Sequence, residues 1–360
     1  MSMNLAGAQT NELLHIGFNQ DYGCFACGTD AGFRIYNCDP FKETFRREFS
    51  TGGIGIVEML FRCNILAIVG GGKNPRYPPN KVMIWDDHQN SCIGELSFRS
   101  DVRAVRLRRD RVVVVLTKKV YVYNFADLKL VDHIETVSNE RGLCALCPDT
   151  SNNVLACPGI QKGHVRVELY DTRKVTLIAA HESELMALSM NNNGTKVATA
   201  SEKGTLIRVF DAQSGQLLQE LRRGAERAII HCITFNATSS FLACSSDKGT
   251  IHVFSLGEAG SSARGSASSG SAANEERNEK SSLSFMKNLL PKYFASQWSF
   301  AQFRVPETRT ICAFGPGSHT LIVVGSEGGF YKTKFEKGGD CEKTSFSKFI
   351  KSEGDGVMDD

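Results

Sequence analysis

Two adjacent arginines, Arg222 and Arg223, sit in the run Leu-Arg-Arg-Gly at 221–224. On an extended strand, neighbouring side chains point to opposite sides. Two near-identical polar stretches flank the pair, ATASEKGT at 198–205 and ACSSDKGT at 243–250, and they align without a gap. The alignment matches Ser201 with Ser246, Lys203 with Lys248 and Thr205 with Thr250; one residue of slip then matches Arg208 with His252. Each set offers one guanidinium, one ammonium and two hydroxyls. That is the donor set of an oxyanion receptor. The guanidinium fork matches two phosphate oxygens, and Lys, Ser and Thr satisfy the rest. His181, in AAHES, is placed to join the first set, and His231 or His252 the second. A KGT turn alone is common in hairpins, and a lone arginine usually sits in solvent. The duplication around an Arg-Arg pair is what points to binding.

Other chemistry finds no residues to rest on. The eight histidines form no HExxH, and no GxSxG elbow is present. VGGGKNP at 69–75 falls short of a phosphate loop, because Ala67 stands where GxxxxGK needs glycine and Asn74 where it needs Ser or Thr. Two CxxC pairs, Cys24/Cys27 and Cys144/Cys147, lie in or beside strand-like runs, where a spacing of three sends the sulfurs to opposite faces. Buried thiols are the expectation for them, against half of a zinc site or a redox pair. No catalytic residue, metal or cofactor is expected.

The elements that must hold the arginines repeat. A turn with Gly or Lys, alternating apolar residues and an aromatic recur as GFRIYN, KVMIWD, KVYVYN, HVRVELYD, GTLIRVFD, GTIHVFS and GGFYKTKF. The aromatic anchors are Tyr36, Trp85, Tyr123, Tyr170, Phe210, Phe254 and Phe335, at spacings of 49, 38, 47, 40, 44 and 81 residues. All but the last surround the roughly 40–45 residues of a four-stranded propeller blade. Upstream of most anchors lie two further strand signals, such as VVVVL and VRAVRLR. The pattern predicts an all-β, seven-bladed β-propeller of WD40 type over 13–345. A flexible N-terminus at 1–12 and an acidic tail at 346–360 flank it. Two α/β domains would need helical periods, which are absent outside one short segment.

The long last spacing marks an insertion in blade six, at 257–295. Its first part is Gly/Ser/Ala-rich and then charged, the composition of a flexible loop. Its second part clusters Phe285, Met286, Leu289, Leu290, Tyr293 and Phe294 among lysines. Exposed apolar residues on such an arm either enter a membrane interface or dock on the ring or on a partner. The stretch SQWSFAQFRV at 296–305 is expected to resume the blade. DVRAVRLRRDRV at 101–112 carries Arg103, Arg106, Arg108, Arg109 and Arg111, as either a salt-bridged strand edge or a partner surface.

Across 360 residues, 42 Lys+Arg against 39 Asp+Glu leave a net charge of +3, too little to coat nucleic acid. The longest apolar runs are strand-sized, and MSMNLAGAQTNELL carries no secretory pattern, so a soluble cytosolic protein is the expectation.

The Arg-Arg-Gly run, the sister motifs SEKGT and SSDKGT, and FNQDYGCFACGTDAGFRIYN, VEMLFRCNILAIVGGG and PNKVMIWDD resemble the PROPPIN family. The likeness runs through nearly the whole chain. Within the family it suits the broad group that contains the fungal Atg-eighteen-like and animal WIPI proteins. The family motif is Phe-Arg-Arg-Gly; Leu221 here keeps an apolar anchor. The resemblance implies a phosphoinositide-binding peripheral membrane protein of autophagy. It recognises phosphatidylinositol 3-phosphate and phosphatidylinositol 3,5-bisphosphate at two rim sites. Arg222 would serve the first with His181, Ser201, Lys203, Thr205 and Arg208. Arg223 would serve the second with Ser245, Ser246, Lys248, Thr250 and His252. The 257–295 arm would insert into the bilayer. Blades two and three would contact autophagy partners, including the large lipid-transfer protein. The chain would be a monomer in solution. It would work in the cytoplasm and at preautophagosomal, endosomal or vacuolar membranes.

Overall fold

Stretches such as Arg111–Leu116 (RVVVVL) are rich in β-branched residues and almost wholly buried. A strand buried on both faces belongs to a sheet packed between two others. A computed structural model describes residues 2–5, 12–50, 52–257, 297–317, 319–336 and 341–350, and they form seven such sheets around one axis.

Blade one contains β1 (Ser2–Asn4), β2 (Leu13–Phe18), β3 (Cys24–Thr29), β4 (Gly32–Cys38) and β5 (Phe41–Glu48). Blade two is β6 (Gly53–Met59), β7 (Ile65–Gly71), β8 (Lys81–Asp86) and β9 (Ser91–Ser97). Blade three is β10 (Val102–Arg108), β11 (Arg111–Leu116), β12 (Lys119–Asn124) and β13 (Leu130–Glu135). Blade four is β14 (Ala145–Leu146), β15 (Val154–Pro158), β16 (His164–Leu169) and β17 (Lys174–Ala179). Blade five is β18 (Leu185–Met190), β19 (Lys196–Ser201), β20 (Leu206–Asp211) and β21 (Leu217–Arg222). Blade six is β22 (Ile230–Phe235), β23 (Phe241–Ser246) and β24 (Thr250–Ser255), with β26 (Ala301–Arg304). Blade seven is β27 (Thr310–Phe314), β28 (Thr320–Gly325), β29 (Gly329–Lys334) and β30 (Glu342–Lys348). No helix forms among the described residues, and none is long and apolar enough to cross a membrane.

Two details depart from the expected layout. Gln297–Trp298 (β25) does not resume blade six. It adds a fifth strand to blade five, running parallel to β21. The exposed backbone edge of β21 is thereby paired. Only at β26 does the chain return to β24. The termini also differ: β1 pairs with β2, and β30 runs past residue 345, with Phe349 and Ile350 buried beyond it. Residues 2–4 and 346–350, placed in a flexible N-terminus and an acidic tail, thus belong to blades one and seven.

The apolar core sits between blades. Cys24, Ala26 and Phe33 of blade one pack on Val57, Leu66 and Trp85 of blade two. Equivalent clusters join blades two to three, three to four, four to five and five to six. One continuous cluster spans blades six, seven and one. Cys24 and Cys27 fall in different clusters, as do Cys144 and Cys147, so each pair is split across its sheet and none is a metal half-site. All twelve cysteines are free, and the described residues hold no cluster able to bind a metal. Blade faces diverge away from the axis, so outer strands alternate; β5 reads half-buried, exposed along its length.

Among the described residues no strand is shared between the ends of the chain, since blade one draws its strands from the N-terminal side and blade seven from the C-terminal side. The ring closes by packing. Phe330 stacks on Phe41 at 4.3 Å and on Phe25 at 6.0 Å, and Tyr36 donates its hydroxyl to the Phe349 carbonyl at 3.2 Å. Phe330→Ala is expected to cost about 3–5 kcal/mol, the usual penalty for emptying a buried aromatic site. Urea unfolding measures it, and a loss under about 1 kcal/mol would show that the seam is held elsewhere.

Candidate functional site

Blade five decides where the arginines point. Its strand register sets Thr199 opposite Arg208 and Arg208 opposite Glu220, with Leu206 opposite Arg222. By period-two alternation Ser201, Thr199, Arg208, Glu220 and Arg222 share one face. That face also carries Val197 and Phe210, which pack on blade four. The other face carries Ala198, Ala200, Ile207, Val209 and Leu221, packed on blade six. Leu221 is fully buried there and anchors the strand end. Arg222 therefore turns toward the cleft between blades four and five. Arg223, one residue on, turns toward blade six. Each is only 7% exposed.

In the first cleft, His181 Nε2 meets Thr199 Oγ1 at 2.9 Å. Arg208 donates Nε to Glu220 Oε2 at 2.9 Å and Nη1 to the Ala180 carbonyl at 2.7 Å. Its charge is already balanced, so Arg208 is an anchor of the cleft wall. Ser201 is buried, Thr205 half-buried and Lys203 exposed at the turn. Gly204 in that turn has φ +61°, and a Cβ there would lie 1.7 Å from the Ala228 carbonyl oxygen. Only glycine fits.

In the second cleft, Arg223 donates Nε to the Gly204 carbonyl at 3.0 Å and Nη2 to the Glu226 carbonyl. These anchors are carbonyls, so they orient the guanidinium without cancelling its charge. Register places Cys244 opposite His252. Ser246 and Thr250 share their parity, hence the face toward blade five. Ser246 and His252 are buried, Thr250 half-buried and Lys248 exposed. Ser245 departs from expectation. It lies on the opposite face and donates Oγ to the Thr310 carbonyl of blade seven at 2.6 Å. Alternation removes it from the cleft.

Two residues of the first cleft escaped notice in the sequence, Thr199 and Glu220. Each stands two positions from a residue already singled out, so the period of the strand could have found them. The apolar arm residues Phe285, Met286, Leu289, Leu290, Tyr293 and Phe294 lie outside the described residues.

The blade-three arginines do not form one surface. Arg108 is 1% exposed and pairs with Asp110 at 2.6 Å while also donating to the Asn152 carbonyl. Arg103 pairs with Glu140, Arg106 with Glu58 and Arg111 with Asp110. Arg109 lies over the Phe61 ring. The salt-bridged alternative describes this strand. Beside it, blades two and three enclose a groove of about 690 Å³ lined by Phe98, Arg99, Lys118, Lys119, Tyr121 and Tyr123. Phe98 and Tyr121 lie 5.5 Å apart in it.

Burial sets the protonation of the histidines. It pushes His181 and His252 down to about 4, helped by the charges of Arg208 and Arg223 respectively. Both are neutral at neutral pH. Burial also holds His15 down at about 3 and His231 at about 4.

The PROPPIN family model matches residues 12–345. The chain is 42% identical over 329 residues to autophagy-related protein 18e of Arabidopsis thaliana, covering 90% of this chain and 84% of that one. It is 36% identical over 377 residues to autophagy-related protein 18 of Yarrowia lipolytica, covering 91% and 94%. Among solved structures, KlAtg21 in complex with the coiled coil of AgAtg16 superposes with a TM-score of 0.74 at 24% identity, covering 97% of this chain and 100% of that one.

An unfolded histidine titrates near about 6.5, so below that pH the unfolded chain takes up protons that these buried histidines refuse. Their contribution to stability is complete above about 6.5 and declines as pH falls toward the folded values. The melting temperature is expected to drop between about pH 6.5 and 5, above the main carboxylate range. His252→Asn should flatten that slope. A melting temperature that stays level across this window would overturn the assignment.

Proposed function

This chain belongs to the PROPPIN family, and from that premise we propose that it is a phosphoinositide-binding effector of autophagy that attaches to membranes by the edge of its ring. The observation that carries the reading is the splay of Arg222 and Arg223 from the end of one strand into two different clefts. The first site comprises Arg222, His181, Ser201, Lys203 and Thr205, with Arg208 as anchor. The second comprises Arg223, Ser246, Lys248, Thr250 and His252. The headgroups would be those of phosphatidylinositol 3-phosphate and phosphatidylinositol 3,5-bisphosphate, whose phosphates suit a guanidinium fork backed by hydroxyls and an ammonium.

The two sites act as a pair. Once one headgroup is bound, the rigid ring holds the second cleft at the same surface, and avidity can exceed either single affinity by about a hundredfold. The apolar arm residues Phe285, Met286, Leu289, Leu290, Tyr293 and Phe294 would add burial in the acyl boundary. With the disc on its edge, the distant blades stay free. The cationic aromatic groove of blades two and three is the surface we assign to autophagy partners, the large lipid-transfer protein among them. The AgAtg16 coiled coil bound to KlAtg21 supports protein partnership on this fold. The reading is of a binding protein, not an enzyme, working from the cytoplasm at preautophagosomal, endosomal or vacuolar membranes.

Flotation with vesicles containing either phosphoinositide tests this. Wild type is expected to float. Arg222→Ala and Arg223→Ala should each float weakly, and the double variant should remain in the load while keeping its β circular-dichroism spectrum. Flotation of the double variant at wild-type level would remove the site assignment. A wild type that stays in the load with both phosphoinositide vesicles would leave a propeller scaffold without a lipid role.

A further inference from the structure

The first strands of the blades crowd the axis, and a second group of cations meets there, away from the rim clefts. Arg141 lies in the link from β13 to β14, and Arg309 in the link from β26 to β27. His231 stands at the start of β22 and Arg103 near the start of β10. In blades built as antiparallel meanders, these links and first-strand starts lie on one face of the disc. At that mouth is a cavity of about 60 Å³ whose lining includes Ser2, Asn4, His15, Arg103, Arg141 and His231.

The charges at the mouth do not balance. Arg103 and Arg106 have acidic partners, Glu140 at 2.7 Å and Glu58 at 3.5 Å. Arg141 donates only to the Met186 carbonyl at 3.4 Å, and Arg309 to the Asn4 carbonyl at 3.2 Å. Neither forms an ion pair among the described residues. His231 Nε2 is enclosed and has no hydrogen-bond partner among them. Burial, then the charges of Arg141 and Arg309, hold His231 down, while Asp247 and a backbone hydrogen bond at Thr308 act the other way. Asp247 is engaged elsewhere, accepting from the Ile229 amide at 2.9 Å. Arg141 is exposed at the mouth but crowded on its flanks; burial and then the Arg309 charge lower its pKa. Two guanidiniums bonded only to carbonyls and an imidazole with an unpartnered Nε2 thus converge, with no carboxylate ion-paired to either arginine among the described residues.

We propose that the axial mouth is a binding site for one phosphoryl group of a soluble phosphorylated compound, held by Arg141, Arg309 and His231. Size agrees. A water needs roughly 10–15 Å³ of such space, so the cavity takes about five atoms of that kind, the number in one phosphate. Charge agrees as well: a dianion is met by two forks, and the imidazole gains an acceptor for Nε2 once protonated. A membrane lipid is the other source of such a group. A disc standing on its edge presents its rim, not its axis, to the bilayer.

Calorimetric titration of the full chain with inorganic pyrophosphate, alongside vesicle flotation, separates the two. Wild type is expected to bind pyrophosphate. Arg141→Gln and Arg309→Gln should each weaken it at least tenfold, and His231→Gln severalfold. Arg222→Ala/Arg223→Ala should keep the axial component of this binding, losing only what the rim clefts take up, and Arg141→Gln/Arg309→Gln should float on phosphoinositide vesicles as wild type does. Both guanidiniums are solvent-accessible, and an unchanged melting temperature confirms that these variants are folded. No binding by wild type, or equal binding by Arg141→Gln/Arg309→Gln, would overturn the proposal. So would loss of pyrophosphate binding in the rim variant, or loss of flotation in the axial one.

Discussion

Everything in this molecule depends on sheets that bury both faces. A blade has no solvent side near the axis, so each strand residue belongs to one of two clefts. Apolar residues fill both, as in β11 and β23. Where a polar residue must enter, alternation alone chooses its cleft. Leu221 commits its side chain to blade six, so Arg222 must face blade four and Arg223 must face blade six again. Burying a guanidinium is costly unless its donors are met. Arg223 meets that cost with carbonyls, and Arg208 with a carboxylate. The first solution keeps a net positive charge in the cleft; the second removes it. The same distinction separates Arg103, Arg106, Arg108 and Arg111 of blade three, which are paired with carboxylates, from Arg141 and Arg309 at the axis, which are not.

The parallel strand β25 adds a link between blades. It sets Gln297 against Leu221 and Trp298 against Arg222, and Gln219 donates to the Gln297 side chain at 3.4 Å. The chain entering blade six from the C-terminal side is therefore stitched first to the outer edge of blade five, at the residue that opens the first cleft. Backbone pairing on that edge fixes the position of Arg222 more firmly than an unpaired outer strand would. A free edge elsewhere is left to alternating polar residues, as on β5.

Ring closure follows from the same packing principle. Many propellers close by a strand borrowed from the other terminus. Here each end supplies a whole blade, and the seam relies on Phe25, Tyr36, Phe41, Phe330 and Phe349. Extending blade seven to Phe349 and Ile350, past the expected tail boundary, provides the last of these rings.

Periodicity and repetition were enough to read seven blades and the split of each CxxC pair, because a period of two and a recurring unit are properties of the chain itself. The splay of Arg222 and Arg223 was legible for the same reason, and Thr199 and Glu220 lay within reach of that rule. What the chain could not announce is which partner a buried charge finds. Glu220 reaches Arg208 across a hairpin, Ser245 reaches Thr310 on the next blade, and Asp110 reaches back to Arg108. Those pairings, the detour of Gln297–Trp298 to blade five, and the meeting of Arg141, Arg309 and His231 bring together residues from separate stretches of sequence. Only closure of the ring sets the distances between them, and electrostatic balance depends on distance, not on order along the chain.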